Sequence, residues 1–267
     1  MTNMNRSPLG LLMRRAARQH GLVTQTDLDI CGVSRAACRT AVDRGWLGRV
    51  ARGVYAVAGA PRTWFHHVQA ATLLGGGAPA ARATAVALHG FDDNMRRGRP
   101  HIVLPFGRRI GTGEVDVGVH HSRTLQSDDV TEVGGIACCT AERAVIDLGI
   151  DMGRSGRWID VAAAAIRSGA TDSSRLNAPL DRAGKVPQAK AMRRALAALD
   201  PDTARTRSVK ESSFLRALLT TGVPRPVVNY RVTNQAGRPI AEIDLAWPQW
   251  LHGWEIDGFR WHSLPNQ

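Results

Sequence analysis

A chain of 267 residues, 43% hydrophobic and 22% charged, has the composition of a soluble globular protein and the length for two or three small domains. Its formal net charge of +12 comes almost wholly from arginine, since only Lys185, Lys190 and Lys210 are lysines, and a polyanion is the default partner. No apolar run approaches the roughly 20 residues of a membrane span, nothing resembles a secretory signal, and the four cysteines (Cys31, Cys38, Cys138, Cys139) lack metal-ligand spacing, so a reducing cytoplasm is expected.

The first sixty residues hold nine arginines against three aspartates. "SPLGLLMRRAARQHG" predicts a first helix with Leu11, Leu12, Ala16 and Ala17 on its apolar face and Gly21 as its stop. "VTQTDLDICG" offers Thr24 as the N-cap of a short second helix. "VSRAACRTAVDRG" offers Ser34 as the N-cap of a third, with an apolar stripe of Ala37, Cys38, Ala41 and Val42 and a stop at Gly45. "WLGRVARGVYAVAG" then alternates like a small hairpin. Three short helices followed by a hairpin predict a winged helix-turn-helix over residues 1–59, whose third helix meets the major groove through its N-terminal residues. Arg35 and Arg39, four apart, share a face of that helix, while Arg49 and Arg52 fall on the wing, suited to phosphate or the minor groove. An arginine face that is merely solvated is the alternative, and GC-rich coding is another source of arginine.

Residues 60–150 read as an α/β middle domain. Helices are expected near 62–74 and in "ARATAVALHGF", strands in "PHIVLPFG" and "VDVGVHHSRTL", and a short strand and helix in "GGIACCTAERAVIDLG", where Thr140 is the expected cap and Cys138 and Cys139 are expected to be buried thiols. His120 and His121 lack partners at ligand spacing and alternate to opposite faces, which favours ordinary surface or core histidines. Arg108 and Arg109 either extend a phosphate-binding surface or form a solvated turn.

Residues 151–207 read as a helical connector and linker, with helices near 157–168 and 188–199 around the breaker-rich "SGATDSSRLNAPLDRAGKVP". Residues 208–267 then predict a helix ("SVKESSFLRALLTTGVP"), a hairpin ("PVVNYRVTNQAGRPIAEIDLAW") and a third strand ("LHGWEIDGF"). With Asp244 near the end of the second strand and Glu255 on the third, two or three carboxylates gather on neighbouring strand ends. Such an oxygen-rich site suits Mg²⁺, which can hold a phosphodiester oxygen and activate water.

Two resemblances follow from these residues. The segment "GLVTQTDLDICGVSRAACRTAVDRGWLGRVARGVYAVAG", with "APRTW" and later "CTAERAVIDLG", resembles actinobacterial proteins with an AbiEi-type antitoxin N-terminal domain. Those are winged-helix proteins of abortive-infection, type IV toxin–antitoxin systems, and the resemblance implies operator binding and transcriptional repression. The stretches "ESSFLRALL", "EIDLAWP" and "WEIDGFRWHS" look like the start of a very-short-patch-repair-like endonuclease domain of the PD-(D/E)XK superfamily. That resemblance implies Asp244 and Glu255 as metal ligands, Asp257 where the wider superfamily has lysine, Glu211 as the helix carboxylate that completes the site, and His262 as a recurring histidine.

The superfamily core continues with an arginine-rich helix and a further strand, so the nuclease part is expected to be truncated and inactive. The expected fold class is α+β and multidomain: winged helix-turn-helix, mixed α/β middle region, connector, and partial restriction-endonuclease-like sheet. The expected function is that of a DNA-binding regulator of antitoxin type. A Mg²⁺-dependent endonuclease is the alternative, and a protein–protein module that contacts a toxin without cutting anything is a third. Double-stranded DNA is the expected partner, a toxin protein and a second copy of the chain are further ones, and a membrane is not.

Overall fold

The computed structural model describes residues 8–111, 115–153, 155–184, 186–197, 199, 214–215, 217–234 and 237–256. α1 (Pro8–Arg18) buries Leu12 and Ala16. Leu11 and Ala17, expected beside them, are exposed, because only the row spaced by four residues meets the core. Gly21 adopts φ +83°, a left-handed conformation that ends the segment, and the chain enters β1 (Leu22–Thr24). This three-residue strand is too short to show periodicity in sequence. α2 (Gln25–Ile30) starts from the expected cap: the Thr24 hydroxyl accepts from the Asp27 N–H at 3.1 Å, and the Asp27 carboxylate accepts from the Thr24 N–H at 2.8 Å.

Asp27 is buried and also accepts from Gln19 Nε2 at 2.9 Å and Arg15 Nη1 at 2.5 Å. Burial pushes its carboxyl up, but the hydrogen bonds from Gln19, Thr24 and Arg15 outweigh burial and hold it below the ordinary carboxylate range. α3 (Arg35–Asp43) is capped by the Ser34 side chain, which accepts from the Ala37 N–H. The hairpin of β2 (Leu47–Ala51) and β3 (Val54–Val57) completes an antiparallel sheet of order β1-β3-β2. Helix, short strand, two helices and a hairpin is the connectivity of a winged helix-turn-helix.

Strand alternation gives this small sheet two buried faces. Val23 and Leu47 pack with Leu12, Leu28, Cys31 and Cys38 of the helices. Leu22, Ala51, Val54 and Ala56 instead pack against Ala70 of α4 (Trp64–Leu74). Buried His66 reaches back to the His20 carbonyl at 2.9 Å, and His20 Nε2 lies 2.9 Å from the Gly134 carbonyl. Residues 8–59 therefore share a core with the following segment, and residues 1–148 fall in one compact unit.

The rest of that unit is a layer of short strands covered by helices. β4 (His101–Pro105) and β5 (Gly118–Ser122) pair in parallel, and β6 (Val130–Val133) and β7 (Ile136–Cys139) form an antiparallel hairpin through Gly134 and Gly135, with φ +58° and +81°. Ala80 stitches the pairs together, bridging Ile102 on one side and Cys138 on the other. β6 has no apolar alternation, and its place comes from pairing with the buried β7. α5 (Arg82–Leu88) buries Ala85, Val86 and Ala87, and α6 (Ala141–Met152) contains the division between the two units. All four cysteines are free and buried. Burial alone pushes the Cys138 thiol up to about 12, so it is inert at neutral pH.

The unit of residues 149–267 holds α7 (Arg157–Arg167), α8 (Asn177–Arg182) and α9 (Ala189–Ala197). α8 lies in the breaker-rich stretch expected to be irregular. Its Pro179 sits in the first turn, where a missing N–H removes no helical hydrogen bond. Residues 214–215 and 217–219 are helical, and β8 (Val227–Thr233), β9 (Pro239–Trp247) and β10 (His252–Trp254) form the expected meander, with β9 central. Leu215, Leu218, Leu245 and Trp247 make its core. Among the described residues no helix is long and apolar enough to cross a membrane.

Candidate nucleic-acid interface

Ser34 sets where α3 starts, and that start sets what α3 displays. Cys38 is buried towards α1 and α2, whereas Arg35 and Arg39, one turn apart, are exposed. At the other end of the helix the Arg44 guanidinium lies 5.3 Å over the ring of Trp46, which is 60% exposed. Arg49 is an outward residue of β2, and Arg52 sits in the hairpin turn beside Gly53, whose φ of +73° makes the turn. The four arginines singled out in sequence are thus all exposed, two on the helix and two on the hairpin. Arg62, His67 and Arg99, which no motif links to the wing, join Arg49 around a cleft of about 390 Å³.

Other conspicuous residues have structural duties. The Arg108 guanidinium lies against Gly76, just past the C-terminal end of α4, and the Arg108 carbonyl is 2.7 Å from His121 Nε2. His121 is exposed, while His120 is half-buried with its Nε2 2.8 Å from His101 Nδ1, the two rings stacked. Burial, helped by Arg82 and His101, pushes His120 down to about 4, so it is neutral at neutral pH. His121 is thus a surface residue and His120 a half-buried one packed on His101.

The C-terminal carboxylates are set by the sheet register. Trp254 pairs with Leu245 as the last pair of β10 and β9, and a register continued by one position would set 255 across from 244. Glu255 nevertheless lies just past the last residue of β10 and is exposed, rather than within the third strand as expected. Asp244 lies inside β9, three residues short of its end, because Leu245, Ala246 and Trp247 carry the strand on into the core. Its Oδ2 accepts the Ile256 N–H at 2.8 Å. Asp257, Glu211 and His262 lie outside the described residues.

Among the described residues no group of three or more His, Cys, Asp or Glu side chains is placed to hold a metal ion. Mg²⁺ is commonly held by one or two carboxylates, with water and phosphate completing its six oxygens; among the described residues Asp244 and Glu255 are the candidates, and one Asp244 oxygen is already engaged by the Ile256 N–H.

Residues 11–58 match a family model described as a transcriptional regulator, AbiEi antitoxin. The match runs from within α1 to just past β3, the helices-and-hairpin segment that carries Arg35, Arg39, Arg49 and Arg52, and covers under a fifth of the chain. No curated protein matches the chain. Among solved structures, the chain is similar to the RV2827C protein from Mycobacterium tuberculosis, with 19% identity over 72% of this chain and 80% of that one and a TM-score of 0.46.

Proposed function

We propose that this protein is a duplex-DNA-binding transcriptional regulator of antitoxin type, in which residues 1–59 read DNA and residues 60–150 buttress them. The observation that carries the reading is the display of Arg35 and Arg39 on the first turns of a capped helix, with Arg49 and Arg52 on the adjoining hairpin, inside the segment that matches the antitoxin regulator family. A helix so placed reads base edges in the major groove, and the hairpin arginines hold backbone. A toxin protein is the protein partner this reading implies, and a second copy of the chain suits a palindromic operator.

The test is titration of the full chain into duplex DNA at two salt concentrations. Binding should weaken steeply with salt, because each phosphate neutralised releases counterions. Salt-independent binding, or none, would remove the reading.

A second reading concerns residues 208–267, which we propose are nuclease-derived. The supporting observation is that Asp244 lies on the central strand and Glu255 just past the end of the strand paired with it, whose last pair is Trp254 with Leu245. The Asp244 oxygen held by the Ile256 N–H argues that the carboxylate serves the sheet first, and DNA should be cut slowly or not at all. Plasmid nicking with Mg²⁺ or Mn²⁺, with Asp244→Ala as the control, decides between regulator and endonuclease. Vigorous cutting that Asp244→Ala abolishes would make the protein a metal-dependent nuclease.

A further inference from the structure

Beside the wing, three arginines from three separate segments converge on the cleft of about 390 Å³: Arg49 of β2, Arg62 just before α4, and Arg99 just before β4. His67 of α4 adds a fourth nitrogen-bearing side chain. Among the described residues the acidic member of the lining is Asp116, which reaches Arg99 at 3.8 Å with both side chains largely exposed, at 56% and 81%. A solvated ion pair at that distance contributes little. Among the described residues no ion pair engages Arg49 or Arg62.

Holding three guanidiniums around one cleft carries a repulsive cost that a bound anion removes. A guanidinium also matches two oxygens of a tetrahedral phosphate at once. Among the described residues no Trp, Tyr or Phe lines the cleft, so they offer a nucleobase no stacking platform there, and the apolar part of the wall is Val50, Ala70, Pro100 and Val115. The lining suits phosphate more than base. Arg49 also belongs to the hairpin that carries Arg52, so the cleft adjoins the proposed DNA-binding face.

We infer that this cleft binds a backbone phosphate of duplex DNA beyond the segment met by α3 and the hairpin tip, so that the middle part of the chain lengthens the footprint. The inference rests on the DNA-binding reading and assigns it a further contact, made by Arg62, Arg99 and the inner wing residue Arg49. It predicts that affinity depends on duplex length as well as on sequence.

The experiment uses the full chain and the double variant Arg62→Gln/Arg99→Gln, titrated into mixed-sequence duplexes of about 12 and about 30 base pairs over a series of salt concentrations. Both side chains are exposed, and circular dichroism of the variant checks that the fold is kept. On the long duplex the double variant should bind more weakly, with a log K against log salt slope shallower by about 1–2, one to two phosphate contacts' worth. On the short duplex it should match the unmodified chain.

Equal slopes and affinities on the long duplex would overturn the inference while leaving DNA binding intact. Failure of the unmodified chain to bind any duplex would remove the DNA-binding reading, and the inference with it. Pyrophosphate is the small-anion probe. If it binds the unmodified chain without competing with DNA, and the double variant fails to bind it, the cleft belongs to a free anion and the backbone assignment is overturned.

Discussion

Arg143→Met is expected to destabilise the unit of residues 1–148 by about 3–5 kcal/mol, the range seen when one member of a buried ion-pair network is removed. Arg143 leaves α6 with 7% of its side chain exposed and meets Asp129 at 3.1 Å and Asp147 at 2.8 Å, themselves 3% and 13% exposed. Its remaining donors reach the Thr124 carbonyl at 3.3 Å and Ser122 Oγ at 3.0 Å. A single guanidinium fork thus ties the end of β5, the loop after it and the turn before β6 to one helix. Methionine fills much of the volume but takes the Arg143 charge away from two carboxylates that are 3% and 13% exposed. Burial already pushes the Asp147 carboxyl up against the pull of Arg143 and Arg82, so removing Arg143 should drive it further towards the neutral acid. Urea denaturation followed by circular dichroism measures the effect. A midpoint equal to that of the unmodified chain would mean that the network contributes nothing to stability.

Arg35→Ala is expected to weaken binding to a preferred DNA site by about 1–3 kcal/mol, up to roughly a hundredfold, and to relax sequence preference where Arg35 reads. The reason is its position: first residue of α3, exposed, and directed by a cap that the Ser34 side chain enforces. Arg39, one turn on, should behave similarly and less strongly, being further from the helix start. Arg52→Ala, at the hairpin turn, should weaken all sequences about alike and lower the salt slope by about 1, since a phosphate contact carries no sequence information. The measurement is a set of duplexes selected from a random pool by the unmodified chain, titrated with each variant. If Arg35→Ala and Arg52→Ala lose affinity uniformly and equally, α3 is not a reading helix.

Local chemistry was legible along most of the first sixty residues. Thr24 and Ser34 are caps because a β-region hydroxyl three residues before a free N–H is a local arrangement, complete within four residues of sequence. The exposure of Arg35, Arg39, Arg49 and Arg52 follows from helix and strand periodicity around Cys38 and the hairpin. The meander near the C-terminus was legible for the same reason, though the register shift between Val232 and Thr233 was not. Long-range pairing was not. β1 and β6 are strands only because β3 and β7 lie beside them, and α8 stands where breaker residues suggested a loop.

Sequence by itself thus determined the Thr24 and Ser34 caps, the exposed arginine positions, the wing hairpin and the positive charge, all of which depend on neighbours a few residues away. Only the tertiary structure decided that the small sheet carries α4 on its second face, that Arg143 is sunk between Asp129 and Asp147, and that Arg62 and Arg99 stand beside Arg49. Arg49 and Arg99 are fifty positions apart in the chain, and no periodicity spans that distance. What brings them to one cleft is the packing of α4 under the wing sheet and of β4 against α4, through Ala70, Ala71 and Ile102.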